Sequence, residues 1–300
     1  MIGKLLMLGA MMPAVACAYA GHKIPAQTTH AVAPVAQESG VRSVAEESGI
    51  RPVGQEGRWT VLFSDEFDEP TLDRGKWVTC YWWDQDGCTN LGNRELQWYQ
   101  PANAALAEGE LQLRADRKSV ETPEGTYDFT SGLVSTGRAV ANTAGPPKFD
   151  FQYGFAEIRA RVPAGRGLLP AFWMLPSTHE AKPEIDIMEV LGAEPDVLYA
   201  HLHFLDPQGD AQKRFKSIAT KNLSSDWHVY GVDWSAERII WYLDGTEYWR
   251  YENAEHIPKE RMYLLVNLAV GGRWPGSPDE STQFPATFTI DYVRVWQRLQ

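Results

Sequence analysis

A chain of 300 residues with 44% hydrophobic and 22% charged content has an ordinary globular composition, which excludes a collagen-like, coiled-coil or wholly disordered polymer. Acidic residues exceed basic ones by 39 − 28 = 11, so the chain carries −11 and repels a phosphate backbone or an anionic bilayer; nucleic acid is not an expected partner. All 12 Trp lie after residue 58, which separates a tail from an aromatic-rich body whose flat rings suit both cores and sugar-stacking surfaces.

The chain begins like a secretory signal peptide. Lys4 precedes the apolar run Leu5–Ala16, which is too short to span a bilayer, and Ala18-Tyr19-Ala20 ahead of Gly21 offers a small-x-small cleavage site. Residues 1–20 are therefore assigned to a signal and the product to secretion or the periplasm, with no membrane-spanning segment. Lipid attachment through Cys17 is the alternative, because Ala14-Val15-Ala16-Cys17 weakly resembles a lipoprotein box. Residues 21–57 contain no aromatic side chain and carry an imperfect repeat, Gln37 to Arg42 and Glu46 to Arg51. Such a stretch buries too little apolar area to offset the entropy of ordering it and reads as a disordered linker, leaving 58–300 as one domain.

Once the signal is removed, Cys80 and Cys88 are the only cysteines of an exported body, and a disulfide between them is expected to add about 2–3 kcal/mol by chain entropy. Two free thiols remain the alternative; a metal site is disfavoured because no His or further Cys lies nearby. Beyond residue 57 the dominant period is two. Leu111, Leu113 and Ala115 alternate with Gln112 and Arg114, and Ala156, Ile158, Ala160 and Val162 alternate with Glu157, Arg159 and Arg161, the pattern of strands with one wet face. Ile239–Leu243, Asp244-Gly245 and Thr246–Trp249 form a hairpin signal, and Phe288–Trp296 is a further strand. Many short strands and no convincing long amphipathic helix predict an all-β antiparallel sandwich or barrel.

The informative segment is Pro183-Glu184-Ile185-Asp186-Ile187-Met188-Glu189-Val190. On a helix its carboxylates would fall at about 0°, 200° and 140° and share no narrow face. On a strand Glu184 and Asp186 share a face, and Glu189 joins them only if a β-bulge inserts one residue. A solvated strand face would also account for three acids. A row of three carboxylates above a core of Ile185 and Ile187, however, repels itself and raises at least one pKa, which points to chemistry. Upstream, Pro170 to Pro176 places Trp173 on a neighbouring strand; downstream, His201 and His203 share a face, a spacing that would need a third donor to hold zinc.

This acidic segment resembles the active-site strand of glycoside hydrolase family sixteen, in the bulged E-x-D-x-x-E form of its laminarinase-like branch. Further landmarks follow in the same order: Ser64–Phe67, Asn93–Trp98, Tyr153–Glu157, Pro170–Pro176, Trp227–Trp234, Asn267–Gly272 and Ile290–Arg294. The resemblance implies a β-jelly roll of two curved antiparallel sheets with a glycan cleft on the concave face. It implies Glu184 as nucleophile, Glu189 as general acid/base and Asp186 as the carboxylate tuning the pair. Asn93, Trp173, His203 and Trp274 are implied as substrate contacts. Some members hold a structural calcium away from the cleft, for which Glu66 and Asp291 are the candidate ligands; catalysis needs no cofactor. Retaining glycosidases place their carboxyls about 5–5.5 Å apart, a separation that two long Glu side chains can reach from Cα atoms roughly 13 Å apart.

Two positions depart from the laminarinase pattern: Leu169 stands where Trp is frequent and Arg94 where a second Asn is frequent. The segment is also similar to bacterial exopolysaccharide glycanases of the same family. The expected function is that of a secreted retaining endo-β-glucanase, a monomer, cleaving internal β-1,3 or mixed β-1,3/1,4 bonds of a polysaccharide. The alternatives are an exopolysaccharide depolymerase or transglycosylase and, from another class, a non-catalytic glycan-binding lectin. A binding module has no use for a self-repelling carboxylate row.

Overall fold

The computed structural model describes residues 49–83 and 87–299. The signal at 1–20, the lipid site at Cys17 and the linker as far as residue 48 lie outside the described residues. The body is built from two antiparallel sheets. One has eight strands, with Gly154–Arg161 and the long Ala286–Arg298 at its centre; the other has six, ordered Ala211–Ala219, Val197–Leu205, Glu184–Glu189, Leu168–Pro176, Met262–Val270, Leu133–Ser135. A short parallel pair, Gln97–Tyr99 with Phe129–Ser131, departs from the otherwise antiparallel pattern.

The sequence alternation translates directly into packing. Leu111, Leu113 and Ala115 are fully buried, and so are Ala156, Ile158 and Ala160, because period two sends every second side chain between the sheets. There they meet Phe172, Met174, Ile185 and Ile187 of the six-stranded sheet, together with Trp234 and Trp241. The hairpin turns at Asp244 and Gly245, both at positive φ (51° and 77°), the geometry that matches the twist of the flanking strands.

Glu157 departs from the wet-face reading, being only 1% exposed. Residues 49–57, placed in the linker by composition, run against the body and cover it. Val53 N donates to Glu157 Oε2 at 2.8 Å, Tyr292 Oη donates to Oε1 at 2.7 Å, and Ile50 O accepts from Trp296 Nε1. Pro52 is buried. A few specific hydrogen bonds thus order a stretch whose composition alone cannot.

A second apolar cluster forms over one end of the six-stranded sheet. Cys80 and Cys88 are disulfide-bonded, with Cα atoms 4.6 Å apart. Tyr81, Trp98 and Tyr99 pack with Leu175, Tyr263 and Leu265 on the side of the sheet opposite the main core, with Trp82, Trp83 and Trp173 at the margin. This segment walls in part of an otherwise open sheet face and leaves the remainder as a groove.

Candidate active site

The groove floor is the strand Glu184–Glu189, and its register contains the bulge required by the carboxylate spacing. Against Val197–Leu205, Asp186 pairs with His201 and Glu189 with Tyr199, so three steps on one strand oppose two on the other. Against Leu168–Pro176 the shift falls between Met188 opposite Phe172 and Asp186 opposite Trp173. Trp241 Nε1, reaching across from the facing sheet, donates to Asp186 O at 3.0 Å and satisfies a backbone carbonyl at the distortion. The extra residue brings Glu189 round to the face of Glu184, and Glu184, Asp186 and Glu189 line one cavity of about 570 Å³.

Their partners differ. Lys182 Nζ lies 2.7 Å from Glu184 Oε2, and His203 Nε2 lies 3.7 Å from Glu184 Oε1 and 3.3 Å from Asp186 Oδ2. Glu189 Oε2 lies 2.6 Å from His201 Nδ1. Burial, and then the charge of Glu184, push the Glu189 carboxyl up to about 8. Burial and the charge of Asp186 also raise Glu184, but Lys182 and His203 pull it back. Asp186, 4% exposed, is raised by burial and by Glu189. Burial opposes charge on His203, yet its hydrogen bond to Asp186 and the neighbouring carboxylates raise it; burial lowers His201. The arrangement therefore holds the Glu189 proton to about pH 8, whereas Glu184, also raised, has a lysine and a histidine beside it that favour its charge.

The structure brings the sequence-implied contact residues to this groove. Asn93 and His203 line both the central cavity and an adjoining hollow of about 490 Å³ that contains Trp82, Trp83 and Trp173. Trp173 is fixed by Nε1 donating to Asn267 Oδ1 at 2.8 Å. Trp274, 42% exposed, stands edge-on to Tyr199 and His201 on the other side. Leu169 lines the same cavity as Trp274, whereas Arg94, at positive φ, is exposed and lines neither hollow. Asp186 supplies the third donor that the His201 and His203 spacing lacked, the three ligand atoms lying within 4.8 Å of one another.

Lys182, His201, Lys213, Phe215 and Arg273 also line these walls, and sequence reasoning did not select them as site residues. Of these, only His201 carried a signal, its spacing from His203. Glu66 and Asp291 belong elsewhere. Glu66 forms a two-point bridge with Arg294 (2.9 and 2.6 Å), and Asp291 pairs with Arg159 at 2.6 Å. Each carboxylate already has its own guanidinium, and among the described residues neither joins a cluster of three ligating side chains.

Residues 93–294 match the description "Glycosyl hydrolases family 16", a span that includes the bulged strand and its neighbours on both sides. The chain belongs to glycosyl hydrolase family 16. Among its family 16 relatives, the "Beta-glucanase" of Rhodothermus marinus is 36% identical over 268 residues, covering 80% of this chain and 85% of that protein. "Endo-1,3-1,4-beta-glycanase EglC" of Rhizobium meliloti is 34% identical over 252 residues, 79% of this chain and 51% of the relative. This chain thus spans about half the length of that relative. In three dimensions it is similar to the laminarinase catalytic domain from Thermotoga maritima, with a TM-score of 0.71, 32% identity and coverage of 82% of this chain and 100% of that one. The two antiparallel sheets are those of the family 16 jelly roll.

Proposed function

We propose that this family 16 chain is an exported, retaining endo-β-glucanase that cleaves internal β-1,3 or mixed β-1,3/1,4 bonds. The reading rests on the asymmetry between Glu184 and Glu189, two carboxyls on one strand face: Lys182 opposes the rise that burial imposes on the first, while the second is pushed up to about 8. Acid/base assignments follow wherever the environment separates two titrating groups in this way. The names of the Rhodothermus and Rhizobium relatives support a β-glucan substrate, and the apolar leader with a disulfide-bonded body supports export.

The proposed reaction follows from the charges. The Glu184 carboxylate attacks the anomeric carbon while Glu189 gives its proton to the departing glycosidic oxygen. The ester so formed neutralises Glu184 and removes one of the charges that hold the Glu189 proton. Glu189, now ionised, takes a proton from water as that water attacks the same carbon and releases Glu184. Two inversions leave the product in its original β-configuration. Asp186, held by His203 between the two, keeps a polar partner beside the nucleophile throughout.

Proton NMR of the first product from a β-1,3-glucan tests the reading. A β-anomer that only later mutarotates is expected; an initial α-anomer overturns the nucleophile assignment.

A further inference from the structure

Glu184 lies where the groove divides into two wings of different chemistry. One wing presents Trp82, Trp83 and Trp173, and its lysine, Lys182, is committed to Glu184. In the other, Lys213 and Arg273 stand among Phe215, Trp274 and Tyr199. Lys213 sits on the edge strand Ala211–Ala219 directly opposite His203, so its side chain emerges on the groove face; its ammonium lies 5.7 Å from the centroid of Phe215. Arg273 is pinned by its backbone N to Asn93 O at 2.9 Å and by Nε to Gly92 O at 3.2 Å. Among the described residues neither cation has a carboxylate partner, and the Arg273 Nη groups have no protein acceptor.

Catalysis does not account for these charges. The Lys213 charge works against the proton on Glu189, so a neutral residue would serve the general acid better. In a chain of net charge −11, two uncommitted cations facing a sugar groove beside two exposed aromatic rings are matched by an oxyanion on a stacked sugar. A guanidinium fixed at Nε presents its remaining N–H groups in a planar fork suited to carboxylate or sulfate.

We propose that this wing binds an acidic substituent of the glycan, a carboxylate or a sulfate, held by Lys213 and Arg273 with its sugar against Phe215 or Trp274, so that the preferred substrate is an anionic polysaccharide. The inference rests on the glycanase reading above and narrows its substrate class. Exposed ion pairs are individually weak, so the expected gain is about two- to fivefold per cation at low ionic strength, shrinking as salt screens it.

The test uses β-1,3-gluco-oligosaccharides of equal length in neutral, carboxymethylated and sulfated form. Binding is measured by calorimetry on the full chain carrying Glu184→Gln, and hydrolysis on the native chain. The acidic ligands are expected to bind about tenfold more tightly than the neutral one at low salt. That preference is lost at high salt and in Lys213→Ala/Arg273→Ala, and is kept by Lys213→Arg. A gain confined to the carboxymethylated or to the sulfated ligand identifies the substituent. Equal binding of neutral and acidic ligands, or a preference that survives the double substitution, overturns the proposal. Hydrolysis of the neutral ligand without any charge preference defeats this inference alone. A charge preference in binding with no hydrolysis of any ligand defeats the glucanase reading alone.

Discussion

Glu157 and Glu189 are two glutamates withdrawn from water on the outward sides of the two sheets, and they differ in what surrounds them. Glu157 accepts hydrogen bonds from Val53 N and Tyr292 Oη, with Arg294 near enough to act on its charge. Burial raises its pKa, and all three neighbours oppose the rise. Glu189 faces Glu184, whose charge adds to the effect of burial and carries it to about 8. A buried carboxyl supplied with donors becomes a strut, whereas one supplied with other carboxyls becomes a titrating group within the working pH range. On the second sheet three acids share one face and raise one another, and it is there that we place the chemistry.

The comparison breaks most completely at Glu184, the proposed nucleophile. Glu184→Gln preserves shape but removes the attacking oxygen anion, and kcat/KM on a β-1,3-glucan is expected to fall about 10⁴-fold or more while oligosaccharide binding persists in calorimetry. Glu189→Gln is expected to cost about 10²–10⁴-fold. It also removes the alkaline limb of the pH profile. The sign follows from protonation: the acid works only while it holds its proton, so native activity falls as pH rises through about 8. A rate–pH profile flat to well beyond that value would deny Glu189 the acid role.

The alignment of the carboxylate row was legible in the sequence because Glu184, Asp186 and Glu189 belong to one strand, and period two with one bulge is enough to align them. His203 and Trp173 were legible because their strands flank that one immediately. Lys213 was not. Ala211–Ala219 reads as a polar stretch, and only its register with Val197–Leu205 shows that Lys213 and Phe215 turn toward the groove. Arg273 and Lys182 lie outside strands, where no period applies. Glu157 failed for the opposite reason: the alternation placed it correctly on the outward side of its strand, and a segment remote in sequence then covered it.

The strut role of Glu157 can be sharpened by removing either half of the contact. Glu157→Ala leaves Val53 N and Tyr292 Oη without their buried acceptor, and a loss of about 1–3 kcal/mol in denaturant unfolding is expected, with kcat/KM unchanged in the folded protein. Shortening the chain to begin at Arg58 strips one donor from Glu157 and should destabilise comparably, whereas beginning at Gly49 should not. Equal stability of the two shortened chains would return residues 49–57 to the linker.

The smallest expected effect is the most discriminating. Lys182 lies 2.7 Å from Glu184 and opposes the rise that burial and Asp186 impose on it. In Lys182→Met that opposition is gone, so Glu184 holds its proton to higher pH and the acid limb of kcat/KM moves toward neutrality, while the alkaline limb, set by Glu189, stays in place. Activity near neutrality falls modestly, because a half-buried ion pair contributes little beyond its effect on titration. Lys182→Arg keeps the charge and should restore the native acid limb. If Lys182→Met moved both limbs together, the lysine would be acting on the whole carboxylate row rather than on the nucleophile. The division of roles between Glu184 and Glu189 would then require a source other than their separate neighbours.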